Sequence, residues 1–231
     1  MSIHDGHRQR VKNRFKKEGL DHFEPHEVLE LLLFYCVPRK NTNDIAHALL
    51  KRFGTVRGVL NASEAELKKI PDVGDNVAVF LKLLKQLHRY YEVSSVPDIP
   101  LNTIEDCGRY LIPRFYGRNN ETVFLLCLDA KCKVLDCCLV GEGNVNSAAV
   151  PIRRIVEMSL DSNATSVVLA HNHPSGLALP SEEDILTTKR LATALSAVEI
   201  ELTDHIVVAD DDFVSMRLSG QYNPRDWQIL Y

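Results

Sequence analysis

Val167-Val-Leu-Ala-His171-Asn-His173-Pro-Ser-Gly-Leu-Ala-Leu-Pro-Ser181-Glu-Glu-Asp184 changes character twice within one short run, and the reading of the chain turns on it. It begins inside a short buried strand over 166–170. The period of two along a strand puts the imidazoles of His171 and His173 on one side of the backbone. Pro174, Gly176 and Pro180 then break any regular period and let the chain fold back. Ser181 opens a helix, with Asp184 in its first turn. Two neutral nitrogens and one carboxylate oxygen suit zinc, and three protein ligands leave a fourth position for water, as in catalytic rather than structural sites. Alone, Ser181-x-x-Asp184 is also what a capped helix start looks like. A lone His-x-His on a strand is more often not a metal pair. Their combination on one loop closed by Pro and Gly points to a mononuclear zinc site on His171, His173 and Asp184.

Working outward, the helix extends over 181–198. Strands follow over 199–208 and 213–216, separated by the acidic turn Asp210-Asp211-Asp212. Upstream, 122–128 and 134–140 read as strands joined by the Asp129-Ala-Lys131 turn, and 147–160 reads as a helix. This alternation predicts an α/β or α+β domain with a mixed sheet. Asp204-His205 reads as a strand-end pair with ordinary hydrogen bonds, a ligand-orienting role being the alternative.

The segment 93–100, Val-Ser-Ser-Val-Pro-Asp-Ile-Pro, has two prolines, two serines and no helical period, and is the expected linker. Everything before it reads as helix: 8–17, 27–37, 43–53, 56–61, 63–70 and 76–91, the last with Val79, Leu83, Leu84 and Leu87 inward. The expected domains are therefore 1–92 and 101–231. Between two of the helices, Ile70-Pro-Asp-Val-Gly74 resembles a helix-hairpin-helix turn, a motif whose backbone N–H groups hold nucleic-acid phosphates. Its first hairpin glycine is replaced by Asp72, and Asp75 follows Gly74; acid there repels phosphate. Lys51, Arg52, Lys68, Lys69, Lys82 and Lys85 would add phosphate contacts, or simply form a solvated face.

At 231 residues, 45% apolar and 25% charged, the chain has the composition of an ordinary globular protein. Its net charge of −4 is uneven. Residues 1–97 hold 16 Lys+Arg against 12 Asp+Glu, a balance of +4, and the rest hold 11 against 19, a balance of −8. The excess of base is too small to argue nucleic acid by itself. Six scattered cysteines without a C-x-x-C pair predict reduced thiols and a cytoplasmic protein, and neither a signal peptide nor a membrane anchor is expected.

The spacing His171-x-His173-x7-Ser181-x2-Asp184 resembles the JAMM (MPN+) metalloprotease motif. The longer His-Asn-His-Pro-Ser-Gly form, followed by Pro180-Ser-Glu-Glu-Asp184, is similar to the RadC family. So are 124–129, 143–147 and 204–206, and, in the first part, Gly6-His-Arg8, 30–34 and 52–54. The resemblance implies an all-helical N-terminal domain and a JAMM/MPN-type, cytidine deaminase-like mixed sheet with flanking helices. It implies zinc on His171, His173 and Asp184, with Ser181 on the water or oxyanion. Glu121 would be the catalytic base, preferred to Glu142. The chemistry implied is peptidase or isopeptidase hydrolysis of a protein or peptide, with a link to DNA repair. Two other readings are a non-enzymatic DNA-associated repair factor whose metal domain is a scaffold, and a metal-dependent nuclease. The chain departs from the RadC pattern at Pro151-Ile-Arg-Arg154, where the family usually reads His-Pro-Arg-Glu.

Overall fold

From Thr122 to Leu128 every residue is buried, and a strand buried on both faces needs neighbours at both edges and cover on both sides. The computed structural model, which describes residues 3–38, 40–95, 99–143, 151–174 and 176–224, supplies both. The strands are β1 (Glu121–Leu128), β2 (Val134–Gly143), β3 (Ser166–Asn172), β4 (Glu201–Ala209) and β5 (Asp212–Ser215), in the order β2-β1-β3-β4-β5. β3 and β4 are parallel and the other pairs antiparallel, so the sheet is mixed. The parallel pair requires a crossover. Helix α9 (Glu182–Ser196) provides it.

Alternation sorts the side chains of the sheet into two layers. Val123, Leu125, Val167 and Leu169 pack with Ile155 of α8 (Ile152–Asp161) and with Leu191 and Leu195 of α9. Phe124, Leu126, Val168, Ala170 and Ile206 point the other way, against Leu111 and Phe115 of α7 (Ile104–Phe115). Cys137 and Cys138 pair with Leu126 and Leu125 respectively, on opposite faces, and all six cysteines are free thiols. The expected helix over 147–160 is seen from Ile152; residues 144–150 lie outside the described ones.

The chain divides into two compact units, Met1–Tyr90 and Tyr91–Tyr231. The first holds α1 (Ile3–Glu18), α2 (Pro25–Leu33), α3 (Thr42–Phe53), α4 (Val56–Asn61), α5 (Glu64–Leu67) and the greater part of α6 (Asp75–Ser94). Its core joins Leu29, Leu33, Leu49, Val59, Leu67, Val77 and Leu81. Helix α6 continues into the segment expected as a linker, of which residues 96–98 lie outside the described ones. Among the described residues no helix is long and apolar enough to cross a membrane.

Two sequence expectations are corrected. The inward face of α6 is Val77, Ala78 and Leu81, whereas Val79, Leu83 and Leu87 are 54%, 56% and 55% exposed. The helix is apolar along two stripes, and spacing alone does not choose between them. Helix α7 has no counterpart among the expected elements, because Gly108 and Pro113 lie inside it and both disfavour helix. Tertiary contact overrides them. Thr103 and Asp106 form a reciprocal cap at its start, and Gly108 lets it approach β5 so closely that a Cβ there would lie 2.4 Å from the Phe213 ring.

Candidate metal centre

His171 is the penultimate residue of β3 and is buried; His173 follows the strand and is half-buried. The backbone N–H of His173 donates to the carbonyl of Val208 at 2.9 Å, which extends the β3–β4 pairing past the strand end and fixes where both imidazoles stand. Asp184 arrives from the first turn of α9. Ser181 caps that helix, its Oγ accepting the N–H of Asp184 at 3.1 Å, while Asp184 Oδ2 accepts the N–H of Ser181 at 2.8 Å and its hydroxyl at 2.6 Å. The capped-helix and ligand readings of this pair are therefore compatible. The cap leaves Oδ1 facing His171.

The three side chains meet. His171 Nε2 lies 2.9 Å from His173 Nε2 and 3.4 Å from Asp184 Oδ1, and His173 Nε2 lies 3.7 Å from Asp184 Oδ2. Tetrahedral zinc with donors at about 2.0–2.1 Å holds them about 3.3 Å apart, a value these separations bracket. The protonation pattern is legible too. His173 Nδ1 is 3.0 Å from the carbonyl of Leu177, which can only accept, so the proton is on Nδ1 and Nε2 is free to donate its lone pair. His171 Nδ1 faces His205 Nε2 at 2.8 Å, and His205 Nδ1 faces Thr188 Oγ1 at 2.6 Å. Burial holds His171 neutral, lowering it to about 4 against the pull of Asp184, and pushes His205 well below its ordinary value. Two imidazole nitrogens and a carboxylate thus converge on one point, and imidazole with carboxylate is a zinc-type donor set.

Glu121 begins β1. Val123 pairs with His171, so the period of two puts Glu121 on the sheet face that carries the histidines. Glu142 pairs with Thr122, one residue along and hence on the opposite face, and its Oε2 accepts from Arg118 Nη1 at 2.5 Å. Asn172, between the ligands, points away from them. Its Oδ1 accepts the N–H of Thr122 at 2.8 Å and its Nδ2 donates to the carbonyl of Asn120 at 3.3 Å, so it grips both neighbours of Glu121.

Two participants escape the sequence reading, Asn172 as a clamp and Thr188; His205 partners His171, the ligand-orienting alternative rather than the favoured ordinary strand-end histidine. Thr188 stands one helical turn after Asp184, a signal available in the spacing. For His205 the choice between the two readings depends on β4 lying beside β3.

The other expected site, the hairpin at 70–74, is formed. Asp72 takes a left-handed conformation, φ 65°, where the usual motif has glycine. Its carboxylate pairs with Lys40, and Asp75 pairs with Lys68. Arg52 and Lys69 both pair with Glu66, and Lys82 donates to the carbonyls of Leu60 and Ala62. Much of the expected phosphate-binding charge is engaged within the unit.

The RadC-like JAB domain family model matches residues 101–221. The chain is 33% identical over 224 residues to "UPF0758 protein FN0909" of Fusobacterium nucleatum subsp. nucleatum, an alignment covering 93% of this chain and 96% of that protein. It is 30% identical over 213 residues to "UPF0758 protein MADE_1000235" of Alteromonas mediterranea, covering 92% and 95%. Both alignments take in the helical unit as well as the sheet.

Proposed function

The chain belongs to the RadC-like JAB domain family, and from that premise we propose that its second unit is a zinc-dependent hydrolase of amide or isopeptide bonds in protein substrates. The observation that carries this reading is the convergence of His171, His173 and Asp184 on one point, with the carbonyl of Leu177 leaving Nε2 of His173 bare. Zinc held there would polarise a carbonyl and make a water molecule acidic enough to attack it near neutral pH.

The chain's own groups do the rest. Glu121 would take the proton of the attacking water and pass it to the leaving amine, work that needs a carboxylate within one hydrogen bond of that water. Asn172 fixes the stretch of backbone that bears Glu121. Ser181 would turn its hydroxyl from Asp184 Oδ2 to the developing oxyanion, while its N–H keeps Asp184 in place. The carboxylate-rich surroundings favour a peptide over a nucleic acid. Asp210 reaches towards the loop at Gly176, its Oδ2 being 3.9 Å from where a Cβ would stand, and Glu182 and Glu183 are exposed on the first turn of α9. Phosphodiester chains avoid such surfaces.

The test is a set of four purified proteins: wild type, His171→Ala, Asp184→Ala and Glu121→Gln. Zinc content is measured by elemental analysis and cleavage by mass spectrometry on a complex peptide library. Wild type is expected to carry one zinc, the first two variants to lose it, and Glu121→Gln to keep it while cleavage falls about 10²-fold or more. Equal zinc in wild type and in both ligand variants would end the reading.

A further inference from the structure

Thr188 is buried in α9, one turn beyond Asp184, and its hydroxyl has a single proton and three neighbours. Oγ1 is 2.6 Å from the carbonyl oxygen of Asp184, 2.6 Å from His205 Nδ1 and 3.5 Å from Met216 Sδ. The carbonyl cannot donate. If the hydroxyl proton went to His205, two oxygens would face each other at 2.6 Å with no hydrogen between them, which is repulsive. The proton therefore belongs to the carbonyl, and Thr188 accepts from His205 Nδ1. A neutral imidazole protonated on Nδ1 is bare on Nε2, so His205 Nε2 accepts from His171 Nδ1 at 2.8 Å. His171, protonated on Nδ1, is in turn bare on Nε2, the atom that faces His173 and Asp184; the bare Nε2 atoms of the two histidines stand 2.9 Å apart, a repulsion that a cation held between them relieves.

We propose that the hydroxyl of Thr188, acting through His205, sets the tautomer of His171 and so makes it a metal ligand. Thr188 and His205 are positioning residues. The hydrogen bonds run in one direction from His171 Nδ1 through His205 and Thr188 to the main chain of Asp184, and so connect two of the three ligands behind the site. Direction is the essential property. Reversing one proton reverses them all, and leaves His171 Nε2 carrying hydrogen and unable to bind a cation. A valine in place of Thr188 keeps the shape but removes the acceptor. His205 then loses the reason to hold its proton on Nδ1, since only Nε2 still has a partner. The effect on metal and the close approach of the two bare Nε2 atoms rest on the zinc reading above; the direction of the Thr188 hydroxyl does not.

The experiment is nitrogen-15 NMR of the histidines in the metal-free protein, together with zinc affinity measured by competition with a chromophoric chelator. Wild type and Thr188→Ser are expected to show His171 and His205 protonated on Nδ1. Thr188→Val is expected to show both protonated on Nε2, and to bind zinc about 10- to 100-fold more weakly while remaining folded by circular dichroism. A wild-type His171 with its proton on Nε2 would overturn the proposal without recourse to any variant. So would a Thr188→Val protein with wild-type tautomers, or one whose zinc affinity stays within about twofold of a zinc-binding wild type. Failure of the wild type to bind zinc at all sinks the hydrolase reading instead, and the nitrogen spectra still decide the tautomers.

Discussion

Asn172 shows how one side chain can serve a site it does not enter. It lies between two ligands in sequence, and the alternation of the strand turns it to the other face, where it holds the start of β1 at Asn120 and Thr122. Thr122 is fully buried. Truncating the amide leaves the N–H of Thr122 without a partner, and a buried unsatisfied donor costs about 1–3 kcal/mol. Asn172→Ala should therefore lower stability by that amount, seen as a lower urea midpoint with an unchanged slope, and leave zinc content as in wild type. An unaltered midpoint would show that the clamp carries no weight. The same residue marks the limit of the sequence. His171, His173, Ser181 and Asp184 are legible because they share one short stretch, in which strand period, loop and helix start fix their meeting locally. The contact between Thr188 and His205 is not, because it requires the parallel register that sets Leu169 beside His205. A single sequence shows no sign of that non-local fact. Spacing alone presents cap and ligand as rivals at Ser181 and Asp184, but one carboxylate has two oxygens and supports both.

The elements divide in the same way. Those whose apolar pattern is one-sided, such as α3 and α4, and those apolar throughout, such as β1 and β3, can be read almost to their ends. Helix α6 can be placed but not oriented, since two of its stripes are apolar, and α7 is hidden by its Gly108 and Pro113. Gly108 offers a measurement in which two effects oppose. In a helix interior, Gly→Ala ordinarily stabilises by about 0.5–1 kcal/mol through backbone entropy. Here the added methyl would meet the Phe213 ring at 2.4 Å, and overpacking of that kind costs about 1–3 kcal/mol. The clash outweighs the gain in entropy, so Gly108→Ala should destabilise. In a Phe213→Ala background the same substitution should become neutral or stabilising, since the two positions are coupled through one contact. If Gly108→Ala alone raises stability, α7 and β5 do not approach as described.

At the scale of the whole molecule, and among the described residues, the main hydrophobic cluster of the first unit is drawn from residues 29–84 and the two layers about the sheet from 101–222. Cooperative unfolding follows the core that is lost, so calorimetry on the full chain should resolve two transitions. Leu49 and Leu195 are fully buried in different clusters, and truncating either to Ala should cost about 2–5 kcal/mol in its own transition only. Zinc would bind residues of the second unit alone. Saturating it at about 100 times its dissociation constant should stabilise that transition by about 2.7 kcal/mol, and leave the other where it was. His171→Ala should remove the zinc response without disturbing the Leu49-sensitive transition. A single transition displaced equally by Leu49→Ala, by Leu195→Ala and by zinc would mean that the two cores melt as one. The helical unit would then have to be counted as part of the metal centre's support.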